Sequence, residues 1–552
     1  MRLRLSITLF AITATLTLPS LAQGADFYLD PVEGSLQNDG SQDHPWPTLQ
    51  EVLDAGLIET QNWESLPYEE GASLVTVNAG APVTAGDTLF LRSGYHGHVF
   101  IQSAYNSAPI TVAAEPGHTP ELGSLHIQSG SFWAFQDLHI SPTFAPDYEP
   151  TTLVFVESHG WRGPASDIVV EGCYLFSVED TSGWSQQDWN DLPCSGVRGS
   201  GERITVRDTH VKNVNFGISM SGPYALVEGN TVENFAGDGL RGLGDYGVFQ
   251  YNTVKNCYDV NENHDDGFQS WSVGNDGVGT GEVVGVELRG NVILNYEDPN
   301  QPFRGPLQGI GMFDGMFVDW VVENNLIIVD HYHGISLYGA QNCRVINNTV
   351  LDPNVEDPGP PWVQFFEHKD GTPVENCILR NNLATSLAGS DREGVTADHN
   401  ILIEDADTLF VDPAQRDFHL LASSAAVDTG SAEGAPSQDI EGTPRPQGAA
   451  VDVGAYEYHD GPVVYPDAGV GEDSSTSIDA GTATEDGGPS GPDASPSGGG
   501  EGSAACSSHT ASSPPPAGNL GMRNGLAAPP PPPGGGGVPQ QERRQPPTYD
   551  KT

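Results

Sequence analysis

Basic residues are scarce in this sequence: 22 Lys and Arg face 74 Asp and Glu among 552 residues, a formal net charge of −52. Nucleic acids and anionic membrane surfaces are held by clustered cations, so a balance this acidic argues against both as partners. Cysteine is scarce too. Six in the whole chain are too few for a disulfide scaffold. Long apolar runs are missing except for Leu5 to Leu18, which is short for a bilayer, so the mature chain is expected to carry no membrane span. Helical periodicity is almost absent. Gly (67) and Pro (43) instead make up about a fifth of the chain, above the ~12% of ordinary usage, while hydrophobic residues reach 37% against a usual ~45–50%. Many turns and long loops follow from that excess.

The two ends differ from the middle. Arg2 and Arg4, the apolar run, and small residues around Ser20-Leu21-Ala22 and Ala25 have the order of a secretory signal peptide, assigned to residues 1–25. The protein is therefore expected to be secreted, either extracellular or at the cell surface. From about Gly461 the chain turns to Asp, Gly, Ser and Pro, with five consecutive Pro from Pro529 and four Gly from Gly534. Such a composition buries too little apolar surface to offset its ordering entropy, so residues 459–552 are expected to form a disordered tail. The acidity belongs mostly to the part before it.

Between the ends lies a repeat. Short apolar pieces ending in a polar residue recur at Val169-Val170-Glu171-Gly172-Cys173, Thr205-Val206-Arg207-Asp208-Thr209, Leu226-Val227-Glu228-Gly229-Asn230 and Val248-Phe249-Gln250-Tyr251-Asn252. The pattern continues to Asn291, Asn325, Asn348 and Asn382. The closing residues are 36, 21, 22, 39, 34, 23 and 34 apart, a base period near 22 with insertions. One turn of a parallel β-solenoid has that length. A second strand follows each Asn turn, as in Gly239-Leu240-Arg241, Gly267-Phe268-Gln269 and Gly334-Ile335-Ser336. The residue after each Gly is apolar and should face inward, and the next one outward.

These repeats with their Asn turns resemble the right-handed parallel β-helix superfamily of pectate-lyase-like proteins over roughly residues 26–458. The opening Phe27-Tyr28-Leu29-Asp30-Pro31 and Gly86-Asp87-Thr88-Leu89-Phe90-Leu91 are similar to the start of secreted β-helix proteins, among them family 9 polysaccharide lyases. The closing Val451-Asp452-Val453-Gly454-Ala455-Tyr456 is similar to their C-terminal end. The resemblance implies an all-β, single-stranded right-handed parallel β-helix that meets an extracellular polysaccharide. The fold hosts lyases, hydrolases, epimerases and non-catalytic adhesins. In the tail, Cys506-Ser507-Ser508 and Glu542-Arg543-Arg544 resemble the sorting tails of myxobacterial surface proteins, without the apolar helix that those carry between the two. Tethering and release both stay open.

Taking the residue before each strand glycine gives the column Phe216, Asp238, Asp266, Gln308 and His333. Coils stack about 4.8 Å apart, so carboxylates on neighbouring coils would be roughly 5 Å apart if the insertions leave the register intact. Asp238, Asp266 and His333 are thus the catalytic candidates. The outward residues Arg241, Gln269, Trp271 and Tyr338, with Gln308 in the column, offer the stacking faces and polar partners that sugar rings need. Asn261-Glu262-Asn263-His264-Asp265-Asp266, with Asp259 upstream, packs carboxylates densely enough to favour either a bound hard cation or a raised pKa. Asp259, Glu262 and Asp265 are the candidate ligands, with Ca²⁺ as the expected ion. A zinc site from His264, His331 and His333 lacks ligand spacing.

Asp266-Gly267-Phe268 resembles Asp-Gly-Phe segments of family 9 lyases, where aspartates hold calcium and a lysine removes the proton beside the uronic carboxylate. Lys255 is the nearest lysine in sequence, and no motif places it. Asp265-Asp266 with His333-Gly334 resembles the paired Asp and His-Gly elements of polygalacturonase-type hydrolases, at a longer spacing of 67 residues. The expectation is a monomer that cleaves an extracellular polysaccharide by lyase-like β-elimination assisted by calcium. The alternatives are hydrolysis by an Asp acid–base pair and a non-catalytic adhesin or glycan-binding solenoid. The repeated Asn residues read as a structural ladder. Cys343 and Cys377 read as stacked neighbours, bridged or free.

Overall fold

The computed structural model describes residues 24–354 and 356–461. Apart from a few boundary positions, the signal peptide of residues 1–25 and the tail of 459–552, with its sorting motif, lie outside them. The chain winds as an almost purely β, right-handed parallel β-helix. A representative coil runs through Ile218–Met220, Leu226–Glu228 and Thr231–Phe235, and the next through Leu240–Gly242, Val248–Gln250 and Thr253–Cys257. Each strand pairs in parallel with its counterpart one coil away. The core is filled by the residue after each strand glycine: Leu240, Phe268, Ile310 and Ile335 are buried and stand in one register. Period-two alternation turns the following residue outward.

A file of buried amides runs along one corner. Nδ2 of Asn230 donates to Oδ1 of Asn252 at 2.9 Å, and the same bond repeats through Asn291, Asn325, Asn348 and Asn382 to Asn400 at 2.9–3.0 Å. Each Oδ1 also accepts the backbone N–H of the preceding ladder residue. The residue before each Asn adopts positive φ, as at Gly229 (67°), Tyr251 (56°) and Asn347 (56°). The turn would otherwise leave buried amides unpaired, and the ladder satisfies them.

The insertions fall mostly at the corner that leads into the Leu240–Gly242 face. Residues 177–194, 258–265, 295–307, 352–354 and 356–361 all lie there, between the third strand of one coil and the first strand of the next. They therefore lengthen the walls beside that face, and the inward register through Leu240, Phe268, Ile310 and Ile335 is kept, with local shifts at Ser270/Trp271 and His333/Ile335. Trp189, Ala236 and Val260 form a small separate cluster with Trp184, Tyr258 and Phe303 that packs these loops together. The short helix Gln186–Asp191, capped by Ser185 and Asp188, is tied to the next loop by Gln186 Nε2 donating to the Val260 carbonyl at 2.6 Å. At the C-terminal end Phe410, Phe418, Leu420 and Val453 pack on Leu294, Ile328 and Leu351. Cys343 and Cys377 belong to coils one step apart, and both are free, as are Cys173, Cys194 and Cys257. Among the described residues no helix is long and apolar enough to cross a membrane.

Candidate active site

Asp266 opens the strand Asp266–Trp271, and its neighbours in the sheet set its place: Asp266 pairs with Gln308 on the following coil, and the amide of Gly239 donates to the Asp266 carbonyl. Phe216, Asp238, Asp266, Gln308 and His333 thus form one column in the register expected from the glycines. The column is not an open surface. Asp266 is fully buried, Asp238 is 2% exposed, and Asp265 and Gln308 are also buried.

The carboxylates are held unequally. Asp238 forms an ion pair with Nε of Arg241 and accepts the backbone N–H of Asp266 at 3.2 Å. The Arg241 guanidinium is itself clamped, 3.8 Å from the ring centre of Phe216 and 5.4 Å from that of Trp271. Burial raises the pKa of Asp238, and the Arg241 charge opposes the rise. Asp266 has no such cation. Its Oδ2 accepts from Gln269 Nε2 at 2.9 Å, while its Oδ1 has no hydrogen-bond partner. Burial, then the Asp238 and Asp265 charges, push Asp266 well above the carboxylate range. Asp265 is pushed up to about 8 by burial, then by Asp259 and Asp238. The cluster therefore favours charge on Asp238, which has the cation, and a proton on Asp265 and Asp266, which do not.

Space for the Asp266 side chain depends on Gly311, where a Cβ would come within 2.1 Å of Asp266 Oδ1. The buried thiol of Cys257 opposes the rise at Asp265. Neither residue was singled out by the repeat pattern. A glycine facing outward in the strand Gln308–Asp314 is the signal that could have found the first.

His333 is part of an aromatic group two coils beyond Asp266. Its Nδ1 lies 2.9 Å from Ser336 Oγ, which also accepts from Trp362 Nε1 at 2.9 Å. Its ring packs against Phe313 at 4.6 Å, and the Tyr338 ring touches Phe313 and Phe366. Burial lowers the His333 pKa to about 3 and that of His331 to about 4, so both rings are neutral. Trp271 stands beside a register shift in its strand and opposes Asp314.

The expected calcium ligands do not gather. Glu262 and His264 are exposed on their loop, and Asp259 acts on Asp265 through its charge. Among the described residues no three His, Cys, Asp or Glu side chains are arranged to hold a metal ion, so the trio Asp259, Glu262 and Asp265 does not fit calcium, nor the three histidines zinc. Lys255 lies on the third strand of its coil, ion-paired to Glu233 and Glu297 at 3.3 and 3.0 Å. Arg304 and Lys369 pair with Glu356 and Asp314. Of these four cations, Arg241 is the one paired with a site carboxylate.

Three solved structures are among those similar to this chain. The pectate lyase Pel9A is 16% identical with a TM-score of 0.39, and the match covers 80% of this chain and 98% of that one. A GH136 lacto-N-biosidase from Eubacterium ramulus is 12% identical with a TM-score of 0.36, covering 68% of each. The A-module of the mannuronan C-5 epimerase AlgE4 from Azotobacter vinelandii is 14% identical with a TM-score of 0.36, covering 57% of this chain and 87% of that one. No curated protein matches the chain. The family described as the right handed beta helix region matches residues 195–359, a stretch that contains the whole column from Phe216 to His333.

Proposed function

We propose that this protein is a secreted carbohydrate-active enzyme that cleaves an extracellular polysaccharide by acid–base hydrolysis at Asp238 and Asp266. The observation that carries this reading is the unequal pair: two carboxyls on neighbouring coils, one ion-paired with Arg241 and one without a cation and with an unpartnered oxygen, burial raising its pKa. Breaking a glycosidic bond needs a proton for the leaving oxygen and a carboxylate for the other side of the reacting carbon. Asp266, biased toward its protonated form by burial and by Asp238, supplies the proton, and because it is fully buried the reaction requires the wall over it to open as the glycan binds. Asp238 supplies the carboxylate, which activates water or stabilises the developing positive charge on the sugar. Asp265 keeps a second proton beside Asp266. Arg241 positions Asp238 and favours its charge, Gln269 orients Asp266, and the half-buried rings of Phe216 and Trp271 offer apolar contact to sugar rings. Neutral His333 offers a ring nitrogen to a sugar hydroxyl.

β-Elimination is a second reading, favoured by Arg241, whose guanidinium is the kind of group that binds the carboxylate of an acidic sugar. Lys255 is committed to Glu233 and Glu297 and supplies no base. Product analysis separates the two readings, since hydrolysis yields new reducing ends alone and elimination adds the ultraviolet absorbance of an unsaturated sugar. The assay is run with added calcium and with chelator. Turnover in wild type that is lost in Asp266→Asn, without unsaturated product, supports hydrolysis. Equal turnover in the two proteins rejects it.

A further inference from the structure

On the third strands the outward column starts charged and turns apolar. In register it runs Lys212, Glu233 and Lys255, then Leu294, Ile328 and Leu351. The three aliphatic residues are 5–8% exposed, because the C-terminal segment folds over them with Phe418 packed in the same cluster. The cover does not close. A cleft of about 590 Å³ remains between that segment and the loops after Leu294 and Leu351, floored by Leu294, Ile328, Leu351 and Phe418. An apolar floor of this size with a few polar groups at its edge is the make-up of a small-molecule site.

The charged groups at the rim are engaged, with one exception. Glu297 pairs with Lys255 at 3.0 Å, and Arg304 pairs with Glu356 at 2.9 Å while lying 4.7 Å from the Tyr296 ring centre. Asp352 accepts the Asn354 N–H at 3.0 Å, and burial raises its pKa, which disfavours its charged form. Arg416 is exposed, donates to the backbone carbonyl of Glu297 and forms no ion pair among the described residues. In a chain with a net charge of −52, this arginine at the edge of an apolar cleft is available to an anion.

A chain of hydrogen bonds leads from the cleft to the carboxyl cluster. Asn354 Nδ2 donates to Tyr296 Oη at 3.0 Å and to Asp330 Oδ2 at 3.1 Å. The other oxygen of the buried Asp330 accepts from Asn295 Nδ2 at 2.6 Å and from the Leu307 N–H at 3.3 Å. The next residue, Gln308, pairs with Asp266 and donates its N–H to the Asp265 carbonyl at 3.0 Å. The 295–307 loop thus lines the cleft and walls the Asp238–Asp266 face.

We propose that this cleft binds a medium-chain fatty carboxylate, and that the bound chain braces the 295–307 loop. The alkyl chain lies on Leu294, Ile328 and Leu351 against Phe418, and the carboxylate meets Arg416. An aliphatic floor with a single aromatic ring suits an alkyl chain better than a sugar, which stacks on aromatic faces. The site is separate from the proposed cleavage chemistry and does not depend on it.

Isothermal titration calorimetry of the full chain with octanoate and decanoate, kept below their micellar concentrations, tests this. The protein is itself strongly acidic, so non-specific attraction to the anions is absent. Expected is one decanoate per chain, and octanoate bound about tenfold more weakly, since each buried CH₂ is worth about three- to fourfold. Arg416→Gln weakens decanoate binding about three- to tenfold. Ala414→Phe, at another exposed position of the lining, fills the cleft and removes binding. Hydrogen exchange across residues 295–308 slows with decanoate in wild type and does not in Ala414→Phe. Asp266→Asn binds decanoate like wild type whatever its turnover, so the cleft and the hydrolytic reading fail separately. Absence of saturable decanoate binding overturns the site, as does binding unchanged in both Arg416→Gln and Ala414→Phe. Decanoate bound with exchange across 295–308 unaltered overturns the brace.

Discussion

The backbone N–H of Asp266 donates to a carboxylate oxygen of Asp238 at 3.2 Å, so the chain entering one coil is fastened to the acid of the coil before it. This bond joins the solenoid's register to the chemistry of the site. It favours charge on Asp238, as does Arg241, and the resulting negative charge keeps the proton on Asp266.

Stability should fall with rising pH through the range in which Asp265 is protonated only when folded. The group is raised to about 8 in the fold, whereas an unfolded Asp loses its proton near 3.9. Between those limits the folded state binds more protons, so the unfolding free energy declines as pH rises. Thermal melts across this window should show Asp265→Asn gaining on wild type toward the alkaline end. Parallel pH curves for the two proteins would contradict the assignment.

Turnover should follow a bell in pH, with the acid limb set by ionisation of Asp238 and the alkaline limb by loss of the Asp265–Asp266 protons. Arg241 lowers the Asp238 pKa. Arg241→Gln should therefore move the acid limb to higher pH and lower the maximal rate, while a merely structural arginine would leave the limb in place.

Gly311→Ala tests the space around the acid. A methyl at this position would meet Asp266 Oδ1 at 2.1 Å and the Phe313 ring at 2.8 Å. The Asp266 side chain must move, and kcat should drop toward that of Asp266→Asn, a loss of about 10²- to 10⁴-fold. Retained activity would mean that Asp266 is not held where the reaction needs it.

Asn291→Ala tests the ladder apart from the site. The substitution strands the backbone N–H and the side-chain amide of Asn252, both of which donate to Asn291 Oδ1. Each buried unpaired group costs about 1–3 kcal/mol, so denaturant unfolding should show at least that loss.

The ladder from Asn230 to Asn382 and the column from Phe216 to His333 could be read in the sequence for one physical reason. Each coil repeats a glycine followed by an inward apolar residue, and the insertions lie in loops outside the paired strands. The register therefore survives the irregular spacing. Burial was less legible. Carboxylates crowded between Asp259 and Asp266 suggested a cation, but the loop leaves Glu262 in solvent while the strand draws Asp265 and Asp266 inside. Gln269 looked like a free polar contact and is spent on Asp266.

The most direct test of the hydrolytic account is product analysis with wild type and Asp266→Asn on polygalacturonate, alginate, carrageenan and xylan, following reducing ends and ultraviolet absorbance together. The account predicts new reducing ends without an unsaturated chromophore for wild type on at least one polymer, and a loss of about 10²- to 10⁴-fold in the variant. An unsaturated product, or a variant as active as wild type, would contradict it.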